Sequence, residues 1–298
     1  MLNQVGFIRL PPHAAGGYDH ADVHLKSGKV YIAHTANDSL EVVDGERLSH
    51  IKTISGCPEA SGVLCAQEEG LVFAAARGAG KILVLSADND TIVEEVRAGF
   101  RPNGLAWDSK RRQLLVADVE DNRARLLDPD SGRQLSELAL KGRPRWSLYE
   151  PTLDVFLVNI RDPAGLAFIS PGSLAEQRFV PVSVPGPHGL EVIQRTGPAF
   201  VACDGKSMVE LDLVNGRETA VVPLSGEPDV LWLNPQRGHL YCAIGSPGVI
   251  DVIDVNRHEV NERVVTEEGA HTLTFDRSRQ RLYALMPKSQ RADVYSEE

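Results

Sequence analysis

The chain has 298 residues, of which 42% are hydrophobic and 24% charged, so it is long enough for one large core or two ordinary ones. Its formal net charge of −10 argues against nucleic acid and anionic membranes as partners, since both require a positive field. No apolar run approaches the roughly 20 residues that span a bilayer, and no secretory leader is recognisable. We therefore expect a cytoplasmic monomer.

The first predicted element is a strand from Gln4 to Leu10, which stands outside any repeat. The rest of the chain is built on a repeat, whose clearest mark is an apolar residue followed by Asp or Ser. The second residue of that pair recurs at a constant step (86 − 44 = 42) at Asp44, Ser86, Asp128, Ser170, Asp212, Asp254 and Ser296. Seven such units would fill 294 of the 298 positions (7 × 42 = 294).

Each unit has the same internal order. In the third unit an alternating stretch, GLAW, leads through the turn DSKRRQ to a second stretch, LLVAD, and then to RARLLD and QLSELAL. Short segments that alternate with a period of two and are separated by turn residues predict β-strands. The Asp or Ser is expected to accept backbone N–H bonds at the turn between the third and fourth strands.

Four short antiparallel strands repeated every 40 to 45 residues or so are typical of the blades of a β-propeller. The sequence thus predicts an all-β, seven-bladed propeller forming a single domain over residues 1–298. The last unit lacks its fourth strand, and an unpaired edge invites aggregation. Residues 4–10 are therefore expected to pair with the C-terminal blade, 269–298, and close the ring.

The segments GKVYIAHTANDSLEVVD, RQLLVADVEDNRARLLD and GHLYCAIGSPGVIDVID resemble the YVTN-type propeller repeat over essentially the whole chain, although YIAH, LVAD and YCAI replace the signature tetrapeptide. The stretch RPNGLAW also resembles turns of the gluconolactonase (regucalcin-like) propellers. In those proteins an Asn in such a turn helps to hold a divalent metal. This second resemblance implies a metal role for Asn103.

Ligand sites of propellers usually collect where the innermost strands begin, because seven sets of loops converge there on one funnel. The step of 42 places these starts at Asp19, Ser61, Asn103, Arg145, Pro187, Asp229 and His271. Neighbouring candidates are His20, Glu59, Arg101, Arg143, Trp146, His188 and Glu227. Second-strand ends on the same face add His34, Asp118, Asn159, Asp162 and Asp204.

Three arrangements of these residues have chemical meaning. Imidazoles of His20, His188 and His271 with the Asp229 carboxylate suit zinc or a similar ion. Oxygens of Glu59, Asn103 and Asp229 suit calcium or magnesium. Among these groups the candidate metal ligands are Asn103, Asp229, His188 and His271.

The third arrangement is a cluster of arginines, Arg101, Arg143 and Arg145, whose guanidinium groups suit carboxylate or phosphate ligands. Ion pairing across the channel with Glu227 and Asp229 is the alternative for this cluster. If the arginines are free, a small anion is the natural guest.

Two functional hypotheses follow. The first is a non-catalytic propeller that binds a partner protein or small ligand at the funnel face, favoured because no nucleophile elbow or phosphate loop is present. The second is a metal-assisted lactonase or lyase with a divalent cation (Ca, Mg or Zn) in the same funnel and His271 or His188 as general base. The sequence does not decide between them.

Overall fold

The computed structural model describes residues 1–195 and 197–297, and within these ranges the chain forms seven antiparallel four-stranded sheets. Each sheet is one blade, and in six of these seven sheets the strands follow chain order from the central channel outwards. Two short 3₁₀ helices, Thr35–Asn37 and Arg77–Ala79, follow the second strands of the first two blades. The predicted seven-bladed, all-β architecture is confirmed.

The strands of the first six blades are bounded as follows. Blade 1 consists of β2 (Ala21–His24), β3 (Lys29–His34), β4 (Ser39–Asp44) and β5 (Ser49–Ser55), and blade 2 of β6 (Ala60–Ala66), β7 (Leu71–Ala76), β8 (Lys81–Ser86) and β9 (Thr91–Arg97). Blade 3 consists of β10 (Pro102–Asp108), β11 (Gln113–Asp118), β12 (Arg123–Asp128) and β13 (Arg133–Ala139), and blade 4 of β14 (Pro144–Glu150), β15 (Val155–Ile160), β16 (Gly165–Ser170) and β17 (Ala175–Pro181). Blade 5 consists of β18 (Pro187–Val192), β19 (Ala199–Cys203), β20 (Ser207–Asp212) and β21 (Arg217–Pro223), and blade 6 of β22 (Pro228–Asn234), β23 (His239–Ile244), β24 (Val249–Asp254) and β25 (Glu259–Val265).

Blade 7 is built from both ends of the chain. Its inner strands are β26 (Leu273–Asp276), β27 (Arg281–Met286) and β28 (Arg291–Glu297), and its outermost strand is β1 (Leu2–Arg9). Strand β1 pairs antiparallel with β28, with Leu2 opposite Glu297 and Arg9 opposite Arg291. The predicted closure by the N-terminal strand agrees with this pairing, although the strand begins two residues earlier than the pattern indicated.

The turns between third and fourth strands show why Asp recurs there. Oδ1 of Asp44 accepts the backbone N–H groups of Glu46 and Arg47 at 2.9 and 2.8 Å. Asp128, Asp212 and Asp254 make the same pair of bonds in their own blades. The side chain satisfies donors that the tight turn would otherwise expose, which fixes where the outer hairpin reverses.

The hydrophobic core lies between neighbouring blades, not within one of them. Phe73 and Val84 of blade 2 pack against Leu114 and Val116 of blade 3, for example. Trp107 packs against Phe73, with ring centroids 5.0 Å apart, as expected of an inter-blade contact. All four cysteines are buried and unbridged.

Among the described residues, no helix has both the length and the apolar character that crossing a lipid bilayer requires.

Candidate functional site

The funnel side chains are positioned by β-bulges at the start of the innermost strands. In blade 3, Pro102 pairs with Asp118 and Gly104 with Ala117, so Asn103 is an extra residue in the ladder. The same register shift follows Pro144, Pro187 and Pro228, which places Arg145, His188 and Asp229 in bulges. A bulge re-aims a side chain, and a proline suits the first position of a strand. The site therefore rests on a repeated proline-then-bulge element.

This element corrects one predicted position. The step of 42 places the funnel residue of the fifth innermost strand at Pro187. Pro187 is instead the proline that pairs with Cys203 at the start of the strand, and His188 after it is the bulge residue. The glycine after the bulge also has a role, because a Cβ on Gly104 would collide with the backbone carbonyl of Arg145 in the next blade. Glycine thus lets neighbouring innermost strands approach each other.

The bulges surround a cavity of about 720 Å³ at the funnel face of the channel. Seven predicted site residues line it: Asp19, His20, Asn103, Arg145, His188, Asp229 and His271. The loop before β2 adds His13 and Tyr18, and the first 3₁₀ turn of blade 2 adds Arg77. The funnel face therefore carries a concave polar site of small-molecule size.

His188 is the centre of an ionic cluster in this cavity. Its Nδ1 donates to Oδ1 of Asp204 at 3.0 Å, and its Nε2 donates to Oδ1 of Asp229 at 2.9 Å. Burial alone would lower the pKa of His188, but the two carboxylates outweigh it and raise the pKa from 6.5 to about 9. His188 is therefore an imidazolium at neutral pH, with both ring nitrogens engaged.

The carboxylates of this cluster are held ionised. Burial would raise the pKa of Asp229, but His188, His271 and His20 around it hold the pKa well below its usual range. The Nε2 of His271 lies 3.8 Å from Oδ2 of Asp229, while its Nδ1 donates to the carbonyl of Gly269 at 2.8 Å. His20 differs from His188, since burial, its largest influence, leaves its pKa lowered.

Arg145 is a further cation beside this cluster, but it is not paired with any of its carboxylates. Its side chain lines the cavity, its Nε is buried with no hydrogen-bond partner, and it makes no ion pair within the described ranges. Burial lowers its pKa, as do the neighbouring cations Arg143 and Arg161. A guanidinium nevertheless stays charged at physiological pH. The cavity wall therefore holds a partly buried cation that Asp229 and Asp204 attract, although no carboxylate of the described residues forms an ion pair with it.

Arg77 occupies the place where an oxygen-bound metal was expected. Its Nη1 donates to Oδ2 of Asp19 at 3.4 Å and to Oδ1 of Asn103 at 3.3 Å. Its Nε lies 3.7 Å from Oε2 of Glu59. Two of the three side chains that sequence reasoning assigned to calcium or magnesium, Glu59 and Asn103, thus already lie around a guanidinium, whereas the third, Asp229, pairs with His188.

The remaining predicted residues lie outside the cavity. Arg101 is paired with Glu59 at 2.5 Å, Arg143 and Glu227 are exposed, and none of them lines the cavity. Trp146 does not line the funnel mouth as expected. Its ring instead contacts that of His20, with centroids 4.5 Å apart, and lines a cavity at the other end of the channel. The predicted arginine cluster is therefore reduced to Arg145.

Residues at the ends of the second strands hold the side chains and bulges of the funnel in place. Asp204 holds His188 and also pairs with Arg161 at 2.7 Å. Nδ2 of Asn159 donates to the carbonyls of His188 and Gly189, each at 3.0 Å, which fixes the bulge of blade 5. Asp118 and His34 are fully buried. Asp118 accepts the N–H groups of Phe100 and Arg101, and His34 bonds to Glu41 and His13.

The predicted metal ligands do not form a metal centre in this arrangement. Within residues 1–195 and 197–297, no group of three or more His, Cys, Asp or Glu side chains is placed to hold an ion. Both ring nitrogens of His188 already bond to carboxylates, those of Asp204 and Asp229. The Asn103 oxygen accepts from Arg77. A divalent cation in the funnel, and the lactonase or lyase chemistry that needs it, gain no support from this geometry.

Two important residues were missed by sequence reasoning, although the repeat carried a signal for them. Arg77 and Arg161 lie just after the second strands of blades 2 and 4, twice the repeat step apart (161 − 77 = 84). Stepping by 42 along these positions finds both. The loop that contributes His13 and Tyr18 lies outside the repeat and had no such signal.

The comparisons with known proteins agree with the fold and extend no further. The structure is that of a seven-bladed β-propeller. A solved structure of hydrazine synthase from Kuenenia stuttgartiensis is similar to it, with a TM-score of 0.85 over 96% of this chain and 98% of that chain. The sequence identity is 12%, so the likeness concerns the fold alone. No family model and no curated protein matches the chain, and the resemblance to the YVTN repeat stays a prediction.

Proposed function

We propose that the protein is a binding protein for a small anion, which it takes up in the funnel cavity with Arg145 as counter-ion. The observation that carries this proposal is the partly buried guanidinium of Arg145, which faces the cavity without an ion pair among the described residues. A buried charge is costly unless it is paired, so a cation left in this state favours a ligand of opposite charge.

The balance of fixed charges supports a single negative charge on that ligand. The residues that line the cavity include four cations, Arg77, Arg145, His188 and Lys288, and three carboxylates, Asp19, Asp229 and Glu268, which leaves an excess of one (4 − 3 = 1). Outside the cavity, Glu59 pairs with Arg101 and Asp204 with Arg161, so these four charges cancel. One carboxylate or monoanionic phosphate would neutralise the excess.

The shape of the cavity favours a small molecule over a partner protein. A concave space of about 720 Å³ is of the size that encloses a metabolite. Arg145 lies within it, where a flat protein surface would not reach, and its planar fork suits the two oxygens of a carboxylate or phosphate. His271, whose side chain is 41% exposed, is placed to add a further hydrogen bond from the rim.

The test is isothermal titration calorimetry with acetate, succinate and inorganic phosphate on the wild type and on Arg145→Met. A charge-assisted hydrogen bond contributes about 1.5–3 kcal/mol, so the variant should bind about tenfold to a hundredfold more weakly. Arg97→Met is the matched control, because Arg97 is exposed on an outer strand and the same charge is removed there. Equal anion binding by Arg145→Met and Arg97→Met would refute the proposal.

Stability of the free protein provides a second readout. If Arg145 is a ligand-binding cation, Arg145→Met without ligand should unfold at the same or a higher urea concentration than the wild type, because an unpaired buried charge has been removed. A marked loss of stability would instead show that Arg145 neutralises Asp204 and Asp229 as part of the fold. That result would contradict the proposal even if no anion in the panel binds.

A further inference from the structure

The channel has a second cavity at the end opposite the funnel. It encloses about 700 Å³ and is formed by the later halves of the innermost strands. The three tryptophans of the chain, Trp107, Trp146 and Trp232, all line it. Leu105 and Leu190 add to its apolar wall. Trp107 and Trp232 also pack against the hydrophobic clusters between blades, so each contributes both to the core and to this cavity.

The two cavities lie on either side of His20 in the channel. His20 lines both of them, and its ring is stacked at a tilt of 39° on that of Trp146 with centroids 4.5 Å apart. Burial lowers the pKa of His20, so the barrier between the cavities is neutral. The opposite-end cavity thus has its own chemistry, and an inference about it does not rest on the proposed function of the funnel.

Two carboxyl groups face this cavity from opposite sides of the ring. Asp22 of blade 1 accepts the N–H groups of Val23 and Cys65, each at 2.7 Å, and joins its blade to the next. Glu191 of blade 5 likewise accepts from backbone N–H groups on its own strand and on that of blade 6. Burial raises the pKa of Asp22 to about 6 and that of Glu191 to about 7, and Asp22 adds to the second shift.

The charges around the opposite-end cavity are predominantly negative. Five acidic side chains line it, Asp22, Glu68, Glu69, Glu150 and Glu191, against the two arginines Arg195 and Arg277. Arg277 is exposed, and its charge lowers the pKa of both Asp22 and Glu191 without outweighing the effect of burial. Among the described residues it is too far from either carboxyl group to form a direct ion pair. This excess of negative charge is the reverse of the excess of positive charge in the funnel, so the two ends of the channel differ in the sign of their charge.

Unpartnered polar atoms also lie in this wall. Ser147 is 4% exposed, and its Oγ has no hydrogen-bond partner among the described residues. The indole Nε1 of Trp107 is also buried without a hydrogen-bond partner among the described residues. The indole Nε1 of Trp232, in contrast, donates to the carbonyl of Leu273 at 2.9 Å. A buried hydroxyl without a partner is expensive, and a ligand that donates a hydrogen bond to it would remove that cost.

We infer that the opposite-end cavity binds an organic cation, an amine or quaternary ammonium that carries an apolar or aromatic group. The apolar group packs against Leu105, Leu190 and the indole rings. The ammonium is attracted by the faces of the tryptophans and by the carboxylates of Glu191 and Asp22. An uncharged ligand of the same shape would gain only the packing.

The test compares phenethylammonium with 2-phenylethanol, which differ in an ammonium and a hydroxyl group. Because every tryptophan of the chain lines this cavity, quenching of intrinsic fluorescence reports occupancy directly. We expect the ammonium to bind about tenfold more tightly than the alcohol. Equal binding of the two probes, or binding of neither, would overturn the inference.

A variant pair locates the effect. Glu191→Gln should lose the preference for phenethylammonium while keeping its affinity for 2-phenylethanol. Glu259→Gln removes the same charge from an exposed position on an outer strand and should leave both affinities unchanged. If both variants keep the wild-type preference, Glu191 is not part of a cation site and the inference fails.

A measurement on the wild type keeps the inference testable if Glu191→Gln does not fold. Benzyltrimethylammonium carries a permanent charge, so any change of its affinity with pH comes from the protein. Its affinity should rise between about pH 5 and about pH 8, as Asp22 and Glu191 ionise with pKa values of about 6 and about 7. Affinity that is constant or falls over this range would contradict the inference.

Discussion

Replacing His188 with Gln should remove a pH dependence from the stability of the fold. The imidazolium of His188 lies between Asp204 and Asp229, at 3.0 and 2.9 Å, with 17% of its side chain exposed. Glutamine can still donate one hydrogen bond to these carboxylates but does not titrate. The comparison therefore isolates the charge of His188.

The magnitude follows from the pKa of His188, which rises from 6.5 to about 9 in the folded protein. A raised pKa means that the stabilisation is fully present below the unfolded-state value of 6.5 and is lost as the pH rises through the folded-state value. The full contribution is roughly 3 kcal/mol, since each pKa unit corresponds to about 1.4 kcal/mol. Between about pH 7 and about pH 9, linkage removes about 2 kcal/mol of it.

The assay is urea unfolding at several pH values across that interval for the wild type and for His188→Gln. The wild type should lose about 2 kcal/mol more of its free energy of unfolding than the variant does. His258→Gln is the control, because it removes an exposed imidazole that pairs with Glu210 at the surface. Parallel profiles for the wild type and His188→Gln would refute the assignment of His188 as a buried imidazolium.

Two further predictions concern the fold itself. Ile8→Ala should lower the free energy of unfolding by about 2–4 kcal/mol, because Ile8 is fully buried in the strand that closes the ring. Val5→Ala is the control on the same strand: Val5 is 51% exposed, so this change should alter the free energy of unfolding by less than about 0.5 kcal/mol. Similar losses for the two variants in urea unfolding would contradict the observed pairing of β1. Ellman's reagent should modify no cysteine of the native protein and all four after unfolding. Every thiol is buried in the native protein, and burial raises the pKa of Cys57 and Cys203 to about 12. Rapid labelling of a native thiol would show that its blade opens locally.

The repeat made the fold predictable in detail, because each blade forms the same strands and turns with the same residue types at the same spacing. Asp44 and its counterparts at the step of 42 satisfy identical turns, so their spacing carries the blade boundaries. The closing strand was predictable for a related reason, since a last unit without a fourth strand leaves an edge that needs a partner. Its ends were less certain, because strand ends depend on hydrogen bonds and not on composition.

The site was predictable only as a set of candidates. The bulge residues Asn103, Arg145 and Asp229 fell on the grid, but His188 did not, because the connection from β17 to β18 (182–186) is one residue longer than that from β13 to β14 (140–143). Whether an arginine is paired depends on distances across the ring. Arg101 and Arg145 look alike in sequence, yet only Arg101 reaches a carboxylate among the described residues. Partners contributed by other blades decide the chemistry, and a single sequence does not encode their distances.

The joining of both chain ends in blade 7 has a consequence for the route by which the protein folds. Blades 1 to 6 contain contacts between residues close in sequence, whereas the contact of Leu2 with Glu297 closes a loop of almost the whole chain. Contacts between residues so far apart are slow to form, because the entropy of closing the loop must be overcome first. During synthesis β1 must wait, with Val5 and Phe7 among its exposed apolar side chains, until the last strand has left the ribosome. Folding of this propeller is therefore expected to finish only after β28 has been synthesised, and until then the unpaired strand β1 is the segment most prone to aggregation.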